Sequence, residues 1–425
     1  MMSTTLAQSR FGPITWANGR RSLLFTAAAT RAANFSLISI IARYLSDQGF
    51  SAGTIGIVLA AAGLTSAASQ AGWARLITRQ GPALAGIVAA TLGTVGCAML
   101  GFASVPVTLI AADVVLSAGF TGLATTVRTV TGTQVDDEAE GERRFGQLSS
   151  WQTVGGLVGP LLLGSLVIGS SDIAPWFAGG LSAAVLVLWV VLAWRSRAAA
   201  RPAEEVGEAA DDRPGSGSGT ARAWRLAWTM RLVLLCTVGT SFLYGANVVL
   251  WGLYLKDLGA NPAVTAWSFA VFSAPMVLIS PRAGRIWGRV PRTAAITVGS
   301  VSLGAMAIVY GSVQNMPLAV ALTLVEGSLM ALTMPIIAAH VSALLPEKDV
   351  AHGYALYGGV DITLSVLGTA AGGGLIALIG VGPTWYVCGV LCIACAALAW
   401  ALRTRLATGG RPGLTTENLE SRTRR

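Results

Sequence analysis

Apolar residues run along this chain in continuous blocks of about twenty. Twelve can be drawn, at about 22–44, 52–73, 83–104, 106–130, 148–169, 174–194, 231–254, 264–281, 293–313, 316–342, 355–379 and 384–402. A helix rises about 1.5 Å per residue, so about 20 apolar residues cross a bilayer core of about 30 Å. Barrel strands would instead alternate over segments of about 10. In lipid a spanning segment must satisfy its own backbone hydrogen bonds. The pattern predicts an all-α integral membrane protein of twelve transmembrane helices.

The turns between the blocks alternate in charge. Arg20 and Arg21, Arg75 and Arg79, Arg143 and Arg144, Arg195 and Arg197, Arg282 to Arg292, and Arg403 and Arg405 fall in one set of turns. The other set holds little beyond Arg43 and Lys256. Basic loops stay cytoplasmic, so both termini are expected there, in a multi-pass protein of the cell membrane. Residues 195–230 carry an acidic cluster and Pro214-Gly215-Ser216-Gly217-Ser218-Gly219, a composition that suits a flexible linker. The expected organisation is a tail at 1–21, a six-helix bundle at 22–194, the linker at 195–230, a second bundle at 231–402 and a tail at 403–425. The first 18 or so residues show no cleavable signal pattern.

Composition agrees. Hydrophobic residues make up 53% of the chain and charged ones 12%, where soluble domains carry about 25% charge. The net charge of +9 is topological Arg in short turns, so no nucleic-acid partner is expected. Cys392 and Cys395 form a C-x-x-C pair, but no second pair or His completes a site. No metal or cofactor is expected, and with two His in all an enzyme is not expected either.

The halves repeat. A shift of 210 carries Tyr44, Leu45, Asp47 and Gly49 onto Tyr254, Leu255, Asp257 and Gly259, and Arg75 and Arg79 onto Arg285 and Arg289. A shift of 209 carries Gly159 and Gly164 onto Gly368 and Gly373. Two parallel repeats of six spans fit an axis along the membrane normal.

Six plus six spans, a central linker and matching halves resemble the major facilitator superfamily over the full length. Two local motifs add to this. Ala74-Arg75-Leu76-Ile77-Thr78-Arg79-Gln80-Gly81-Pro82 and Gly284-Arg285-Ile286-Trp287-Gly288-Arg289-Val290-Pro291-Arg292 look like degenerate copies of the family's G-x-L-A-D-R-x-G-R loop. The loop Asp is replaced by Thr78 and Gly288. Gly155-x-x-x-Gly159-Pro160-x-x-x-Gly164 on span five looks like the antiporter motif of drug/proton exporters, with Leu163 at one family Gly. The bare reading of that stretch is close helix packing with a Pro kink. The resemblance implies the major facilitator fold, a central cavity lined by spans one, four, seven and ten, and a conformational role for Gly155, Gly159, Pro160 and Gly164.

Ionisable residues at membrane depth are functional candidates. Counted from the expected span ends, Arg31 and Asp113 match in depth within roughly one helical turn, so a pair across the cavity is expected. Glu326 has no basic partner at its depth. A lone acid there can take and release a proton, which a proton-coupled carrier needs; Glu326 is the first candidate and Asp113 the second. Asp361 is expected to substitute for the missing loop Asp by pairing with Arg75 or Arg79, in a cytoplasmic latch that also holds Arg285 and Arg289. Arg128 is expected to snorkel at the interface. Arg31 with Asn34, and Tyr244 with Asn247 and Trp251, share helical faces that suit an amphipathic small molecule. These features point to a monomeric secondary transporter exporting such a compound against protons. The alternative is proton-coupled uptake of an organic acid or sugar, with Arg31 holding an anionic group.

Overall fold

A computed structural model describes residues 16–132, 138–168, 170–199, 219–279, 286, 290–345 and 347–408. Among them are thirteen helices and no strand. The first six are α1 (Trp16–Asp47), α2 (Ala52–Gln80), α3 (Pro82–Phe102), α4 (Pro106–Gly132), α5 (Glu138–Leu166) and α6 (Ile173–Ala199). A short α7 (Gly219–Thr229) follows, and then α8 (Arg231–Asp257), α9 (Pro262–Ile279), α10 (Arg292–Ser312), α11 (Met316–Leu344), α12 (Glu347–Ile379) and α13 (Val381–Thr408).

Eleven of these helices are long and apolar enough to cross a membrane. The twelve expected spans coincide with α1 to α6 and α8 to α13. The one that falls short in apolarity is α5, although it runs for 29 residues. Its middle reads Ser149-Ser150-Trp151-Gln152-Thr153 and then turns glycine-rich, which lowers its apolarity although Trp151, Val154, Val158, Leu161 and Leu162 are still exposed on its outer face. The helix α7 lies inside the expected linker. It buries Leu226 and exposes Trp224 and Trp228, and the Arg231 guanidinium stacks 4.4 Å from the Trp228 ring. Indole and guanidinium groups on an amphipathic helix suit a membrane–water interface.

The repeated Tyr-Leu-x-Asp-x-Gly stretch is a helix C-cap. Gly49 and Gly259 take φ of 85° and 78°, which glycine adopts without steric cost. The next amides reach back over the last turn, Phe50 N to Leu45 O at 3.1 Å and Ala260 N to Leu255 O at 2.9 Å, the six-to-one bond of a Schellman ending. The tyrosines then pin neighbouring helices. Tyr44 donates to Leu100 O at the end of α3, and Tyr254 donates to Val313 O at the end of α10. Each half is thus fastened by the same residue in the same way.

The short turns α1–α2, α3–α4, α5–α6, α8–α9, α10–α11 and α12–α13 lie on one side, here the hairpin face. Hydrogen bonds, an ion pair and glycine contacts that join the halves all lie toward this face. Gly56 of α2 meets the backbone of Gly373 and Thr369 on α12, and Gly63 meets Val366. On the other flank Trp267 of α9 donates to Leu161 O of α5 at 3.2 Å, and Ser273 to Gly156 O at 3.4 Å. A core of apolar side chains runs across the junction, with Ile40, Ile41 and Leu45 packed with Val249 and Leu253. No such junction is present toward the opposite face among the described residues. The protein is closed at the hairpin face, with a cavity beneath the closure.

Candidate functional site

That cavity has a volume of about 280 Å3. Its walls are α1, α4 and α5 of the first half, with Ser273 and Met276 of α9 at its roof. Helical spacing brings Ala27, Thr30, Arg31 and Asn34 of α1 onto one wall and Phe120, Leu123, Ala124, Val127 and Arg128 of α4 onto another. Ser149, Gln152, Thr153 and Gly156 of α5 complete it, the same polar stretch that keeps α5 from being uniformly apolar. Arg31 stacks on Phe35, with its guanidinium carbon 3.8 Å from the ring centroid. Arg31 and Arg128 are exposed to the cavity, and neither has a carboxylate partner among the described residues. They are close enough to act on each other by like-charge repulsion.

The expected Arg31–Asp113 pair is not formed. The cause is depth. The helix α1 begins at Trp16 and continues to Asp47, well beyond the expected span. Arg31 is therefore sixteen residues, about 24 Å, below the hairpin-face end of its helix, whereas Asp113 is seven residues, about 10 Å, below the start of α4. Asp113 is instead buried beside Cys97 of α3, and its Oδ2 accepts no hydrogen bond. Arg128, expected at the interface, lies four residues from the other end of α4 and lines the same cavity as Arg31.

Glu326 lies in the second half, where Tyr310 of α10 donates to its Oε2 at 2.9 Å. No cation pairs with it among the described residues. Tyr244 lies within electrostatic reach, and the Tyr244 hydroxyl and Asn247 Oδ1 are both buried without a hydrogen-bond partner. Buried polar atoms left without a partner are uncommon in folded proteins, and these two share one face of α8. Trp251, expected on the same cavity face, separates from them. It is buried, donates to Ser268 at 2.7 Å, and forms a box of rings with Tyr254, Tyr310 and Trp385. Its ring packs edge-on against Tyr310, the residue that donates to Glu326.

The motif glycines occupy close approaches. A Cβ on Gly155 or Gly159 would collide with the Ala28 or Ala32 carbonyl of α1. Gly368 meets the Phe242 carbonyl of α8 in the same way, and Phe242 is the repeat partner of Ala32. Gly164 is different, since it receives the Trp267 ring from the other half. Pro160 sits inside α5. The second-half loop residues Arg285 and Arg289 lie outside the described residues. Arg75 and Arg79 are exposed at the end of α2. The Asp361 carboxyl does not meet them; it accepts from Ser241 of α8 at 2.5 Å. With α2 and α12 joined near the hairpin face, the Arg end of α2 is more than three turns from its Gly63–Val366 contact.

At the hairpin face the closure carries charge. Lys256 of α8 pairs with Asp47 of α1 at 2.7 Å and donates to Ser46 at 2.9 Å. Asp47 is also held by Arg43 at 3.5 Å and by Ser171, and Arg43 donates to Ala260 O across the junction. Sequence reasoning placed Arg43 and Lys256 as topology markers and missed this network. Its signal was that they are the few basic residues on a face whose turns also carry Asp47, Asp172 and Asp257.

The sequence pattern of the Major Facilitator Superfamily matches residues 23–251 and 233–422. No curated protein sequence matches the chain. Solved structures share its shape. A mutant of the nucleoside transporter NupG aligns with a TM-score of 0.75 at 11% identity, over 90% of this chain and 99% of that one. A mutant of the peptide transporter POT gives 0.75 at 13%, over 93% and 97%. A POT family transporter in complex with 5-aminolevulinic acid gives 0.70 at 12%, over 91% and 96%.

Proposed function

The chain belongs to the Major Facilitator Superfamily, and from that premise we propose that it exports a small amphipathic organic compound in exchange for protons, by alternating access. Its two six-helix halves rock about the site between them. With the Arg-rich turns in the cytoplasm, the conformation described is closed to the outside and its cavity faces the cytoplasm, ready to load.

The observation that carries this reading is a membrane-embedded carboxyl with no cation beside it. Glu326 is held by a neutral Tyr310 hydroxyl, so its charge is not already committed to an ion pair. As access alternates, such a group can bind a proton from one side and release it to the other. Asp113 is the second carrier, buried and unpaired in the first half. The cavity wall offers Arg31, Asn34 and Gln152 beside Phe35 and Phe120, a mixed lining that suits an amphipathic ligand. Shape-related structures with nucleoside and peptide transporters in their names fit secondary transport.

The direction rests on the Gly155–Gly159–Pro160–Gly164 stretch and its likeness to the antiporter motif. Membrane vesicles of both orientations test it. Under an imposed proton gradient, an exporter accumulates its compound in inside-out vesicles; accumulation in right-side-out vesicles would instead establish uptake.

A further inference from the structure

The cavity is lopsided in charge. Two guanidiniums, Arg31 from α1 and Arg128 from α4, open into it, and among the described residues no carboxylate lines it. Both are exposed to the cavity. Like charges repel more strongly between low-dielectric walls than in water, and Arg31 and Arg128 share one small cavity. Arg31 is held in place by packing on Phe35, with no acid drawing it aside. Two cations kept together without a counter-ion are a standing cost that an incoming anion removes.

We infer that this cavity binds an organic anion, whose carboxylate, phosphate or sulfonate is gripped by Arg31 and Arg128 and whose apolar body lies against Phe35 and Phe120. The inference rests on the proposed function only in taking the cavity as the loading site, and it narrows the transported compound from amphipathic to anionic. The planar guanidinium presents paired donors that match an oxyanion in a two-point grip. Asn34 and Gln152 add amide donors on the flanking walls. Closure of walls with one sign of charge also concentrates counter-ions from the surrounding solution. Gly156 serves the same space from the roof. A Cβ there would stand 3.4 Å from the Phe35 ring and 3.8 Å from the Arg31 Cγ, so this backbone packs directly over the two residues.

The test is direct binding to the full-length chain in lipid nanodiscs, with empty nanodiscs as background. Equilibrium dialysis compares 2-naphthoate, 2-naphthyl phosphate and 2-naphthalenesulfonate with the neutral 2-naphthamide and the cationic 2-naphthylmethylammonium. At least one anion is expected to bind saturably and about tenfold or more tighter than the amide and the ammonium. Arg31→Ala and Arg128→Ala should each weaken that anion about tenfold or more, and Arg31→Lys and Arg128→Lys should fall between, since an ammonium lacks the two-point grip. The wild-type comparison needs no variant, and the Lys variants cover a failure of the Ala variants to fold. Equal or tighter binding of the amide or the ammonium, no saturable anion, or anion affinity unchanged in the Arg variants would overturn the inference. Because the readout is binding, it is independent of protons. Anion selectivity with no proton-linked transport would sink the proposed function and spare this inference, and the converse result would do the reverse.

Discussion

Lys256 places its Nζ 2.7 Å from the Asp47 carboxylate and 2.9 Å from the Ser46 hydroxyl of the other half, and Ser46 is the residue the internal repeat pairs with Lys256 itself. The pseudo-twofold axis therefore passes through this contact. Two equivalent positions meet there, and the sequence has made them different. The repeat partner of Asp47 is Asp257, which is exposed and has no ion pair among the described residues. The halves share a fold, but the charges that lock them are not repeated: the first half supplies Asp47 and Arg43, the second Lys256.

Breaking this lock should favour opening of the hairpin face. Both side chains are about a third exposed, at 34% and 31%, so the pair is worth under about 1 kcal/mol after solvent screening. Lys256→Ala or Asp47→Asn should shift the equilibrium between the two facings by no more than roughly fivefold. Spin-label distances across the hairpin face would show it as a growing long-distance population, with the shift fading in high salt for the wild type.

The glycines of α5 should divide into two classes. Gly159→Ala pushes a Cβ into the Ala32 backbone within one half, where no flexible side chain can move aside, and should cost about 1–3 kcal/mol of stability. As a control from α6, Gly180→Ala, with nothing within 4 Å of the added carbon, should leave the melting temperature unchanged. Gly164→Ala meets only the Trp267 ring of the other half. It should therefore shift the same spin-label populations toward the hairpin-open facing with a smaller loss of melting temperature.

Asp361 should exchange partners as the protein rocks. Here it is bonded to Ser241 at 2.5 Å, while Arg75 and Arg79 are exposed at the open side with no carboxylate partner among the described residues. Closing that side would bring α12 toward the α2 end. A Ser241→Ala variant should favour the closed side by releasing Asp361 to the arginines, and Asp361→Asn should favour the open side. Cross-linking between cysteines placed next to these positions reads both directions; equal cross-linking in the two variants would remove Asp361 from the latch.

Much of the fold was legible because a lipid-facing helix must be apolar for about 20 residues. Span positions follow from that alone, and α5 is less apolar because its Ser149, Gln152 and Thr153 line the cavity. The site was legible only in part. Arg31 and Asn34 share a helical face, and both line the cavity. The Arg31–Asp113 pairing failed because hydropathy marks where lipid begins and not where a helix ends, and α1 runs past both edges of its apolar block. Arg128 was misplaced for the same reason, since a terminal Arg looks alike whether it snorkels to water or borders a wet cavity. Trp251 shares a face with Tyr244 and Asn247, yet the closure buries one end of that face. Periodicity cannot separate the two environments.

Proton movement in energised inside-out vesicles tests the central claim most directly. Vesicles carrying the protein are acidified by respiration, a pH-sensitive dye reports the lumen, and the naphthyl acids, amide and ammonium are added in turn. The account predicts that at least one of them collapses the gradient in a protein-dependent way and that Glu326→Gln, which keeps the Tyr310 bond but cannot ionise, abolishes the response. A response of full size in both Glu326→Gln and Asp113→Asn, or protein-dependent movement of a compound with no proton flux, would contradict it.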